Sequence, residues 1–135
     1  MTIDYKDFVE YICENYDNAK KIVEVGVGSK YDVLEELDKR LDAIVIGTDI
    51  RVNPKDPKII KDDITDPDLT IYEDADLIYS IRPPIEMHPY IERVAHAVGS
   101  DLIIKPLSTE YVNRSGLFDD VKLVNYKSSA FYLFR

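Results

Sequence analysis

Apolar residues recur at helical spacing through residues 4–16, where Tyr5, Phe8, Val9, Ile12 and Tyr16 make one face. Asp4 is placed to cap this helix and Asn18 to stop it. The pattern then changes to short, β-branched runs: 21–26, 43–47, 58–60, 75–81 and 101–105. Each is nearly continuous in apolar residues, as strands covered on both faces of a parallel sheet are. Between the first two runs, residues 31–41 carry Leu34, Leu37 and Leu41 on one helical face. Between the fourth and fifth, residues 89–98 do the same with Ile91, Val94, Ala95 and Val98. Pro89 suits the first turn of that helix and Gly99 its stop.

The tail differs. Residues 121–126 and 130–134 are strand-like and separated by Lys127-Ser128-Ser129, which is hairpin spacing. The expected fold is α/β: a compact Rossmann-like, mostly parallel sheet with abbreviated crossovers, an N-terminal helix and a C-terminal antiparallel hairpin. No repeat or linker divides the chain, so residues 1–135 read as a single domain. The third run is the weak point. Residues 50–58 leave no room for a crossover helix, so this run is either an abbreviated parallel strand reached by an extended loop or an unpaired segment.

Charge narrows the partners. The net charge of −9 disfavours nucleic acid and anionic membranes, and no apolar run is long enough to span a bilayer. The acidic start resembles no secretory or transit signal. The lone Cys13 has no partner for a disulfide and reads as a small core filler, which fits a reducing, cytoplasmic location.

Candidate chemistry gathers at the ends of the strands. Glu24 is an acid inside an apolar strand, costly unless it is partnered or reaches a cleft. Gly26 and Gly28 let backbone approach a ligand at the following turn. Asp49 lies about twenty residues on, at the second strand's tip, where a carboxylate can accept from two ribose hydroxyls. Asp63 follows the third strand. The three acids are expected along one sheet edge. A dinucleotide fingerprint needs a third glycine, and Tyr31 occupies that place. Acids around the turn suit a cationic ligand head better than a pyrophosphate.

At these residues the sequence resembles the class I S-adenosylmethionine-dependent methyltransferases. Glu24-x-Gly26-x-Gly28 matches their first motif, Asp49 their ribose acid, and Asp63-Ile64 the pair that holds the adenine amine and face. The resemblance implies that Glu24 serves the amino end of the methionine. It also implies that Ile50 covers the other adenine face and that Ser80 belongs to the cofactor-contacting set. It covers roughly residues 19–135, and the edge hairpin fits it. The chain also resembles a small uncharacterised archaeal family of this length with the same Val-Glu-Val-Gly-Val-Gly run.

After the fourth strand, Arg82-Pro83-Pro84-Ile85 stands where amino-methyltransferases carry Asn or Asp, two prolines and an aromatic residue. Arginine cannot accept a hydrogen bond from an amine. Arg82 and Pro83 are therefore candidate substrate-binding residues. Arg82 has two readings: it holds a carboxylate or phosphate, or it pairs with Glu86. His88 and His96 lack a third ligand at metal spacing, so no metal is expected. His88 reads as an exposed polar residue, with an acid–base role at the cleft as the alternative; His96 reads as solvated. Tyr31, Tyr79 and Tyr90 lie near the cleft and read as core packing with surface hydroxyls, with stacking on an adenine or a substrate ring as the alternative. The expected function is binding of S-adenosylmethionine, a small nucleoside ligand, with methyl transfer to an acceptor; no catalytic residue stands out. The rival is a noncatalytic nucleotide-binding or interaction module with a protein partner.

Overall fold

The computed structural model describes residues 5–52, 56–106 and 112–135. Its elements follow in the order α1 (Lys6–Asn15), β1 (Lys21–Val25), α2 (Asp32–Arg40), β2 (Ile44–Asp49), β3 (Ile59–Lys61), β4 (Leu77–Ile81), α3 (His88–Val98), β5 (Asp101–Lys105), β6 (Val121–Tyr126) and β7 (Ser129–Phe134). The seven strands form one sheet in the order β3-β2-β1-β4-β5-β7-β6. β1 to β5 run parallel, and β6 and β7 close one edge as the antiparallel hairpin. The short third run does pair: Gly47, Thr48 and Asp49 lie opposite Ile59, Ile60 and Lys61 in parallel register. The expected cap Asp4 lies outside the described residues, as does part of the proline loop between β2 and β3. The 63–74 stretch holds one helical turn, Leu69–Ile71, capped by Asp68, whose side chain accepts from the Thr70 amide.

Alternation along β1 sorts its side chains to two layers. Ile22 packs with Phe8, Val9, Ile12, Val33, Leu34 and Leu37 under α1 and α2. Val23 and Val25 pack with Tyr72, Ile91, Val94 and Ala95 under α3. Cys13 is half-buried against the first layer, and burial raises its thiol pKa. From β1 the chain winds through α2 to β2 on one side, then returns to β4 on the other. The order therefore reverses between β1 and β4, and the crevice at their carboxyl ends is where open α/β sheets take ligands. No helix among the described residues is long and apolar enough to cross a membrane.

Tyr31 replaces the glycine that would bring helix and strand together, yet α2 still lies close to the sheet. Gly47 on β2 supplies the space. A Cβ built there would sit 2.2 Å from Val27 Cγ2 and 2.8 Å from Leu34 Cδ1. Overpacking of this kind costs about 1–3 kcal/mol. Gly47→Ala should accordingly lower the midpoint of denaturant unfolding, and an unchanged midpoint would mean that Val27 and Leu34 yield freely.

Candidate functional site

Two clefts meet at Gly26 above the crevice. The first encloses about 230 Å³ and is lined by Tyr5, Glu24, Gly26, Lys30, Ile81 and Arg82 together with parts of the turn into α2. The second encloses about 170 Å³ and is lined by Val25, Gly26, Asp49, Ile50, Asp63 and Ile64, with Thr48, Asp62 and Met87 completing it. Together they reach the size of small-molecule sites, about 300–1,000 Å³. The expected single row of acids is thus divided: Glu24 lies in one cleft, Asp49 and Asp63 in the other. A more open groove of about 410 Å³ sits at the opposite end of the sheet beside Ala19, Asp76 and Asp101, and contains none of the candidate residues.

The glycine turn is held by β2. Gly26 and Gly28 have φ of 74° and 65°, conformations that side chains resist. The amides of Gly26 and Val27 both donate to the Thr48 carbonyl, at 2.8 and 3.1 Å. The Gly28 amide donates to Asp49 Oδ2 at 2.7 Å, and the Arg51 amide to Asp49 Oδ1 at 3.0 Å. Asp49 thereby fixes the turn. A carboxylate has about four lone-pair positions, and these two bonds leave about half of them for other donors. Ile50, next in sequence, is 59% exposed although it is a large apolar residue.

Glu24 is 4% exposed and accepts a hydrogen bond from the Tyr79 hydroxyl at 2.7 Å. The two residues are register partners on adjacent parallel strands. Burial pushes the Glu24 carboxyl up to about 8, and the charge of Asp49 adds to the rise; the Tyr79 bond opposes it. Tyr79 is fully buried, and its own hydroxyl is raised well above the usual range by burial and by Glu24. The expectation of a surface hydroxyl for Tyr79 therefore fails. The signal lay in the sequence as an acid and a tyrosine at matching positions of two strands, but it needed the strand order to be read.

The other candidates fall as follows. Asp63 turns inward on its own loop, its Oδ1 accepting from the Thr65 amide at 3.0 Å and hydroxyl at 2.8 Å, and these bonds lower its pKa. Neighbouring Asp62 accepts from the buried Tyr72 hydroxyl at 2.6 Å, and Tyr72 also bonds Thr48 Oγ1 at 3.1 Å. This brace beneath the second cleft had no legible signal. Ser80 is buried, and its hydroxyl donates to the Val25 carbonyl at 2.8 Å, joining β4 to the end of β1. Pro83 lines neither cleft. Arg82 is exposed at φ 54°. Its amide donates to the Lys105 carbonyl at 2.7 Å, and its guanidinium lies 5.8 Å from the centre of the Tyr5 ring. Among the described residues its guanidinium forms no ion pair with Glu86 or any other acid.

His88 is 1% exposed, not solvated as expected. It begins α3 under the segment after residue 111, and its Nδ1 accepts from the Asn113 amide at 3.1 Å. The neutral ring then carries its proton on Nε2. Burial lowers its pKa, opposed by the Pro83 backbone and by Glu86. One turn on, Glu92 is also fully buried and accepts from the Ser115 amide at 2.5 Å. This pair straps residues 113–115 onto α3. His96 is exposed, edge-on to Phe118. No three His, Cys, Asp or Glu side chains among the described residues gather as a metal site.

The fold matches solved methyltransferases. An S-adenosyl-L-methionine methyl transferase from Silicibacter pomeroyi superposes with a TM-score of 0.67 at 11% identity, over 98% of this chain and 92% of that one. The sugar N-methyltransferase from Streptoalloteichus superposes with a TM-score of 0.56 at 17% identity, over 97% of this chain and 60% of that one. At these identities the likeness is one of fold: the chain has the Rossmann-like arrangement of S-adenosylmethionine-dependent methyltransferases. In sequence it is 39% identical over 132 residues to the UPF0146 protein of Methanocaldococcus jannaschii, covering 94% of this chain and 91% of that one. With the family model matched across residues 5–135, the chain belongs to the Uncharacterised protein family UPF0146.

Proposed function

We propose that the joined clefts bind S-adenosylmethionine, and that the protein presents its methyl group to an acceptor entering beside Arg82. The observation that carries this reading is the pairing of Asp49 with the glycine turn. The turn is fixed by the same carboxylate that retains lone pairs toward the second cleft. Asp49 would take the ribose hydroxyls. Ile50 and Ile64 would cover the two faces of the adenine, which gives the exposed Ile50 an apolar partner. Asp63 would lie at the adenine's rim.

The fit at the other end rests on charge. Glu24 holds a carboxyl at the first cleft, and its partner among the described residues is the Tyr79 hydroxyl. A ligand ammonium would supply the counter-charge that ionised Glu24 lacks, and Gly26 and Gly28 keep the strand-to-helix turn free of side chains. When bound, the cofactor supplies an activated methyl group on a sulfonium. This chain contributes binding and orientation, with Ile81 as an apolar part of the cleft wall and Tyr79 buried behind Glu24. Ser80 acts behind the site, holding β1 to β4.

Calorimetric titration with S-adenosylmethionine, S-adenosylhomocysteine, NAD and ATP tests the reading. The first two should bind, one per chain, and the others at least about tenfold more weakly. Tighter binding of NAD or ATP would replace this reading with that of a noncatalytic nucleotide module.

A further inference from the structure

Arg82 and Lys105 form a cationic spot in a strongly acidic chain. They stand at the carboxyl ends of adjacent strands, joined by the bond from the Arg82 amide to the Lys105 carbonyl. Lys105 is half-buried, and among the described residues it bonds neutral acceptors, Ser129 Oγ at 3.2 Å and the Ala130 carbonyl at 3.1 Å. Burial lowers its pKa, and Arg82 lowers it further by repulsion. With a net charge of −9, acids are abundant, yet neither cation has an ionic partner among the described residues. Two cations side by side, with no ion pair among the described residues, favour a bound anion.

The backbone adds an independent observation. Arg82 occupies φ 54°, a conformation that glycine would adopt without strain. The residue there is nevertheless an arginine, with its guanidinium on the Tyr5 ring at the wall of the first cleft. Stacking on an aromatic face leaves the guanidinium edge and its paired N–H donors open to an oxyanion.

We propose that the acceptor molecule carries a carboxylate or phosphate group, and that Arg82 binds it and so selects the substrate. This rests on the nucleoside reading of the cleft. The cofactor's own carboxylate would have other donors, because the cleft is also lined by Ser29 and Lys30, just before the uncapped start of α2. Arg82 stands on the wall formed by β4 and serves the second molecule. Lys105 strengthens the field without touching the cleft.

Amide NMR on the protein saturated with S-adenosylhomocysteine, titrated with inorganic phosphate and separately with acetate, reads this out. At least one anion should shift the Ile81 and Arg82 amides saturably. Arg82→Gly suits the backbone better than arginine, so the variant is expected to fold. It should weaken that anion at least about tenfold while leaving S-adenosylhomocysteine affinity within about twofold. Equal anion affinity in the variant would overturn the proposal. So would displacement of S-adenosylhomocysteine by the anion, or a tenfold loss of nucleoside affinity in the variant, since either would make Arg82 the partner of the cofactor's carboxylate. Phosphate bound at Arg82 in a protein that ignores S-adenosylhomocysteine would instead defeat the nucleoside reading and leave the oxyanion site standing.

Discussion

Glu24→Gln should make the protein more stable, and the gain should grow with pH. Burial pushes the wild-type carboxyl up to about 8 in the folded state, against about 4.5 for an ordinary glutamate. Between these values the folded protein binds the proton more tightly than the unfolded chain. Stability is therefore lost as pH rises through this window, and the loss is complete above the folded pKa. Glutamine mimics the protonated acid and still accepts from the Tyr79 hydroxyl, so it escapes the loss. The expected gain is near zero at about pH 4.5 and about 3 kcal/mol or more above about pH 8.5.

Other groups shape the wild-type curve, so the difference between the two proteins is the informative quantity. His88, lowered by burial, works in the opposite direction: its neutral form is lost to the unfolded state as pH falls below the ordinary imidazole range. Asp7, Glu10 and Asp63 are held low by hydrogen bonds and act only below the window. Lys105, lowered by burial, contributes alike in both proteins. Urea unfolding of wild type and variant across the window separates Glu24 from all of them. Parallel stability curves would mean that Glu24 is already ionised in the folded protein.

Such a variant should also bind the nucleoside less well. An acid kept where a neutral residue would be more stable is the trade expected of a functional site.

Asp49→Ala should have the largest effect on binding. It removes the acceptor for the ribose hydroxyls and releases the Gly28 and Arg51 amides at once. Hydrogen bonds to a charged group are worth about 1.5–3 kcal/mol each, so the loss in affinity should be at least about thirtyfold. Stability should change little by comparison, because those amides lie at the exposed rim and water can replace the carboxylate. Asp49→Asn keeps one oxygen acceptor and should fall between.

Much of the fold was legible because it rests on local pattern. Continuous apolar runs marked β1, β2, β4 and β5, and the spacing of Leu34 and Leu37 marked α2. The hairpin was visible from its two-strand spacing. β3 was ambiguous because three residues carry no periodicity; its pairing is decided by Gly47 and Thr48 on the neighbouring strand. The acids' places at strand ends were readable, but their division between two clefts, Glu24 in one and Asp49 and Asp63 in the other, was not. Features that depend on two distant elements were not. Gly47 makes room for α2, Tyr79 partners Glu24, Tyr72 braces Asp62, and His88 is buried by residues 112–115; each needs a neighbour that sequence distance hides. His88 was misread for that reason: at a helix start a histidine is ordinarily solvated, and the later segment covers it.

Calorimetric binding of S-adenosylhomocysteine to wild type and Asp49→Ala, side by side at neutral pH, tests whether the paired clefts form a nucleoside pocket. One site per chain is expected in the wild type, and an affinity at least about thirtyfold lower in the variant, with both proteins folded. Equal affinity in the two proteins, or no binding to the wild type at millimolar ligand, would contradict it.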